Sequence, residues 1–76
     1  MTAKAFVLID TAVGKTRAVL AVLRKLKGVQ SANAVTGPYD IIAEVKKESL
    51  NDIEDLVTSE VHSLDGVTRT VTCLVA

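Results

Sequence analysis

A shift of 38 residues lays the second half of this chain over the first, and no other feature restricts the fold as strongly. Leu23, Leu26, Gly28 and Val29 fall on Val61, Leu64, Gly66 and Val67, while Val7 falls on Val45 and Val19 on Val57. Each half therefore closes an apolar helical stripe with Leu-x-Gly-Val, a glycine stop followed at once by a strand.

The segments between these landmarks follow from periodicity. Residues 5–9 are a continuous apolar run of strand length. From Lys15 the period changes, and Val19, Val22, Leu23 and Leu26 form an amphipathic stripe that Gly28 stops, with Lys25 and Lys27 near the negative end of the helix dipole. Residues 29–35 read as a weaker strand with Val29, Ser31, Asn33 and Val35 on one side. Thr36-Gly37-Pro38 is a turn, and residues 39–46 are a third strand. Ser49 with Asp52 three positions later resembles a capping box. It opens a helix whose buried stripe is Ile53, Leu56, Val57, Val61 and Leu64. After Gly66, residues 67–75 form a fourth strand rich in Val and Thr.

The order βαββαβ, built from two βαβ units, predicts an α+β fold: a ferredoxin-like sandwich with a four-stranded antiparallel sheet and both helices on one face. Val7, Ile9, Ile41, Ala43 and Val45 are expected to face the helices, which leaves Phe6, Leu8, Ile42 and Leu74 on the uncovered face. Cys73 alternates with Val71 and Val75 and is expected among the core side chains as an inert thiol. An apolar uncovered face calls for a second subunit, as in a dimeric α+β barrel. Size points the same way, because a single domain of 76 residues buries too little surface to be more than marginal alone.

Charge sums to zero, which argues against general attraction to nucleic acid or to an anionic membrane. It is nevertheless segregated. Residues 1–38 hold six basic groups against Asp10, and residues 39–76 hold eight acids against Lys46, Lys47 and Arg69, about +5 and −5. Two neighbouring helices of opposite sign are expected to attract each other. No apolar run approaches the roughly 18 residues of a membrane span, and nothing at the N-terminus reads as a signal peptide. A cytoplasmic protein is expected.

Motifs for chemistry are scarce. Gly14-Lys15-Thr16 resembles the tail of a phosphate loop, but Ile9 stands where that loop needs its first glycine. The single His62 and single Cys73 assemble neither a metal cluster nor an activated nucleophile. Phe6 and Tyr39, the two aromatics, form no base-stacking platform. Asp40 and Glu44 lie on one strand face about 13 Å apart, too far for an acid/base pair. The expectation is a binding module without catalytic residues, metal or cofactor. Its distinctive polar segments are the turn Gly37-Pro38-Tyr39-Asp40 and the hydroxyl-bearing last strand, where Thr70 and Thr72 share one face.

Thr36-Gly37-Pro38-Tyr39-Asp40-Ile41-Ile42, the helix beginning near Ser49, and Leu64-Asp65-Gly66-Val67-Thr68-Arg69-Thr70-Val71-Thr72 together resemble the C-terminal effector-binding (RAM) domain of the Lrp/AsnC transcriptional regulators. The resemblance covers residues 1–76 and leaves none for the family's N-terminal helix-turn-helix, so a stand-alone RAM protein without direct DNA binding is expected. It implies a homodimer paired through its sheets, assembly into an octamer or similar ring, and an amino-acid effector near the dimer-to-dimer interfaces. It also implies ligand contacts at Gly37, Tyr39, Asp40, Thr70 and Thr72, with Asp40 for an α-ammonium group and the threonines as hydroxyl donors. Full-length Lrp/AsnC-type regulators are the implied partners.

Overall fold

The computed structural model describes residues 2–76. The order is β1 (Ala3–Thr11), α1 (Thr16–Leu23), β2 (Val29–Ala34), β3 (Ile41–Lys47), α2 (Leu50–Leu56) continued by a π-helical segment (Val57–Val61), and β4 (Val67–Leu74). All sheet pairings are antiparallel, in the spatial order β2-β3-β1-β4. This is the expected βαββαβ sandwich. The Ser49 side chain accepts from the Asp52 N–H at 3.2 Å, so the predicted cap starts α2.

One core holds the layers together. Ala5, Val7 and Ile9 of β1 and Ile41, Ala43 and Val45 of β3 are buried against Val19 and Leu23 of α1 and Ile53, Leu56, Val57 and Val61 of the second helix. β1 pairs with β3 from Ala3–Lys47 to Ile9–Ile41 without interruption, so strict alternation holds and the predicted faces of these two strands are the observed ones. Val22, expected in the helical stripe, is exposed, and Leu20 packs on the core in its place.

The edge strands behave differently, because each carries a bulge one residue after its Gly-Val. In β2, Val29 lies opposite Val45 but Ser31 lies opposite Glu44, which leaves Gln30 as an extra residue. In β4, Val67 lies opposite Thr11 but Arg69 lies opposite Asp10, which leaves Thr68 as the extra residue. Gln30 and Thr68 are themselves 38 apart, so the bulge is part of the duplication. An extra residue inverts the alternation beyond it.

Two expectations are corrected on this ground. Val67 packs on the core, but past the bulge Thr70, Thr72 and Leu74 pair with Ile9, Val7 and Ala5 and take the helix-covered side. Val71 and Cys73 pair with Leu8 and Phe6 and take the uncovered side, where Cys73 is exposed rather than buried. The uncovered face is thus centred on Phe6, Leu8, Ile42, Val71 and Cys73, beside a Lys4–Glu44 ion pair at 3.5 Å. In β2, Ser31 and Asn33 fall opposite Glu44 and Ile42 on that same uncovered side, while Ala32 is buried. The expected attraction between helices is also revised: among the described residues the ion pairs are Lys4–Glu44 and Lys15–Asp65, which join the two halves through strands and loops.

Gly28 and Gly66 both have φ near +100°, a conformation costly for L residues. At Gly66 an added Cβ would sit 2.7 Å from Lys15 Cβ and 3.2 Å from Val19 Cγ2, close to a fixed point of the core. At Gly28 it would meet Lys47 Cε at 2.6 Å, the far end of a side chain that can swing away. We expect Gly28→Ala to destabilise by about 1–2 kcal/mol from backbone strain and Gly66→Ala by roughly 1 kcal/mol more, measured by urea denaturation.

Candidate functional site

The π-helical segment is what brings the helix side into contact with β4. A π turn holds one more residue than an α turn. Here the His62 N–H donates to the Val57 carbonyl at 2.9 Å, five residues back. His62 then reaches across to β4, where its Nε2 hydrogen-bonds the Thr70 hydroxyl. Sequence reading placed His62 on a helix near its C-terminal end and assigned it no site role. The missing signal was its partner, because only the Thr68 bulge turns Thr70 toward the helix.

Two adjoining clefts flank this contact. One, of about 320 Å³, is lined by Glu54, Val57, Thr58, His62, Thr70 and Thr72. The other, of about 330 Å³, is lined by His62, Val67, Thr68, Arg69 and Thr70. Both sizes suit a small polar molecule. Thr58 turns its hydroxyl onto the Glu54 backbone carbonyl at 2.9 Å, whereas the Thr72 hydroxyl has no hydrogen-bond partner among the described residues. The cleft therefore holds Thr72 without such a partner, Thr70 bonded to His62, and Glu54 on the helix side.

The other predicted residues lie apart from this cleft. Asp40 sits just before β3, and its N–H donates to the Ile9 carbonyl at 3.0 Å. Its Oδ2 accepts from the Thr11 N–H at 2.8 Å and from the Thr11 hydroxyl at 3.2 Å, and that hydroxyl also meets Thr16 at 2.6 Å. The carboxylate thus ties the 36–40 turn to the end of β1 and the start of α1. Gly37 is exposed, and Tyr39 is half-buried with the Arg69 guanidinium 5.7 Å from its ring centre. Within one chain, β1 separates the turn from β4, and the contact from Tyr39 to Arg69 bridges them.

A larger open groove of about 830 Å³ occupies the opposite end of the sheet, between Lys27, Lys46 and Lys47 on one side and Asp52, Asp55 and Glu60 on the other. It contains none of the sequence-predicted residues.

A family model described as the Lrp/AsnC ligand binding domain matches residues 4–76. This chain belongs to the Lrp/AsnC ligand-binding domain family. An uncharacterised HTH-type transcriptional regulator of Pyrococcus abyssi is 33% identical over 70 residues, which are 92% of this chain and 44% of the regulator. The chain thus spans about half the length of the curated relatives it matches. A solved protein of Thermus thermophilus superposes with a TM-score of 0.94 at 36% identity, covering 97% of this chain and 92% of that one. A transcriptional regulator of Neisseria meningitidis, solved as a complex with L-Met, superposes at 0.87 over 97% of this chain and 49% of its own. At 24% identity, that likeness concerns the fold alone. This Lrp/AsnC domain accordingly shares its architecture with whole small proteins and with parts of longer regulators.

The geometry gives Asp40 a measurable structural role. Asp40→Ala removes the one oxygen that accepts from both Thr11 groups and is expected to cost about 1–3 kcal/mol, while Asp40→Asn keeps a carbonyl acceptor and costs less than half of that, read from denaturant midpoints.

Proposed function

We propose that this Lrp/AsnC domain is a ligand-binding, oligomer-forming regulatory module that responds to amino acids or related small metabolites. The observation that carries the reading is the cleft beside β4, lined by Glu54, His62, Thr70 and Thr72, in which His62 hydrogen-bonds the Thr70 hydroxyl. Hydroxyls with a nearby carboxylate suit a zwitterion, the acid taking an ammonium group and the hydroxyls a carboxylate. The L-Met complex of the Neisseria regulator supports amino acids as the class to test first.

In this reading the turn bearing Gly37 and Tyr39 closes over a ligand from a neighbouring copy. Its backbone N–H groups are the useful donors, while Asp40 shapes the turn through Thr11. Copies pair through their uncovered sheet faces. Burying Phe6, Leu8, Ile42 and Val71 there would contribute roughly 1.5–3 kcal/mol for each large side chain. Dimers then build an octamer or similar ring, and a ligand shifts that assembly only by binding one state more tightly than another. The 76 residues act as one cytoplasmic regulatory unit rather than as an enzyme. The longer HTH-type relatives support regulators of that kind as a second partner for the same apolar face.

Calorimetry against the twenty amino acids, with light scattering in parallel, tests the reading. At least one amino acid is expected to bind and to change the assembled mass, and Thr72→Val is expected to weaken it about tenfold by removing a hydroxyl. No heat with any of them and no change in mass would remove the sensing function. Leu8→Lys, which sets a charge between Ile42 and Val71, is expected to reduce the particle to a folded monomer. An unchanged mass would contradict pairing through the sheets.

A further inference from the structure

We propose that His62 is a positioning residue that turns the Thr70 hydroxyl into a hydrogen-bond donor and so selects carboxylate-bearing ligands in the cleft between α2 and β4. The inference rests on the ligand-binding reading given above. A threonine hydroxyl has one proton and two lone pairs, and a neutral imidazole nitrogen is either a donor or an acceptor. The contact of His62 Nε2 with Thr70 Oγ1 therefore decides what Thr70 has left to offer. When Nε2 carries a proton it donates to the Thr70 oxygen, and the hydroxyl proton is free for a ligand oxygen. When Nε2 accepts, the hydroxyl proton is consumed and a carboxylate meets only lone pairs.

The surroundings hold the His62 ring to Thr70 and leave the pair free of competing contacts among the described residues. The His62 backbone is fixed by its bond to the Val57 carbonyl, so the ring stands over one β4 position. Thr58, the other hydroxyl on the helix wall, is engaged by the Glu54 carbonyl and does not compete for the ring. Thr72 lies two residues along the same strand face, about 6.7 Å away at the usual rise, and supplies a second hydroxyl. The charged groups that share the clefts with His62 are Glu54 on α2 and Arg69 on β4, of opposite sign.

A carboxylate oxygen gains a charge-assisted hydrogen bond from the donor orientation, whereas a ligand with a hydroxymethyl group in place of its carboxylate offers a neutral oxygen and gains a weaker one.

The test uses L-Met and L-methioninol with the full chain, by calorimetry. L-Met is expected to bind roughly tenfold more tightly than L-methioninol, the scale of one hydrogen bond to a charged group. His62→Gln keeps an N–H donor and is expected to retain most of that preference, and His62→Ala is expected to lose it. Because the chain has one histidine, ¹⁵N NMR of its imidazole reads the tautomer without ambiguity, and Nε2–H is expected in the neutral ring. An Nδ1–H tautomer, or a preference unchanged in His62→Ala, overturns the role of His62 and leaves the ligand-binding reading standing. No L-Met binding, with Nε2–H observed, counts instead against that reading for this amino acid.

Discussion

One extra residue in an edge strand decides what this domain presents on each side of its sheet. Thr68 lies between Val67, which packs on the core, and Arg69, which pairs with Asp10, and has no partner of its own in β1. Side chains alternate strictly along a strand, so a single unpaired residue exchanges the two faces of everything beyond it. Thr70 and Thr72 are turned toward the helices, where His62 meets one of them, and Val71 and Cys73 are turned out beside Leu8 and Phe6. The threonines of the cleft and the outward turn of Val71 and Cys73 are thus two results of one bulge.

The second helix supplies the matching adjustment. Its α-helical part is set by the Ser49 cap and the buried Ile53 and Leu56, and the change to π geometry at Val57 keeps Val57 and Val61 buried while carrying His62 over β4. π segments are frequent at functional sites because they add a residue without breaking the helix. Bulge and π segment each insert one residue, and together they bring two side chains eight apart in sequence into hydrogen-bond contact.

How much of this was legible in the sequence depended on local regularity. The faces of β1 and β3 were readable because their pairing is uninterrupted from Ala3 to Ile9, so that Val7, Ile9, Ile41, Ala43 and Val45 could be placed by alternation alone. The face of β4 was not. Alternation carried forward from Val67 puts Cys73 inside, and Thr68 carries no glycine or proline to announce the bulge. The duplication held a usable hint, since Gln30 and Thr68 are both polar residues following Gly-Val at the same place in the repeat. Asp40 was legible as a ligand contact or as a brace of its turn, but its partner Thr11 lies 29 residues away and only the sheet brings them together, so what it braces was out of reach. His62 was weighed and given no role for the same reason, because its contact is with Thr70 on another element.

The account turns on which face of the sheet β4 gives to Cys73, and that thiol is the sole cysteine of the chain. The rate of its reaction with a thiol reagent, followed in native protein across a range of protein concentrations, measures this most directly. The predicted result is rapid labelling of dilute protein that slows as concentration rises and the uncovered faces meet. A thiol that reacts only after unfolding would place Cys73 in the core and contradict the bulge, and rapid labelling undiminished through assembly would contradict pairing of the sheets.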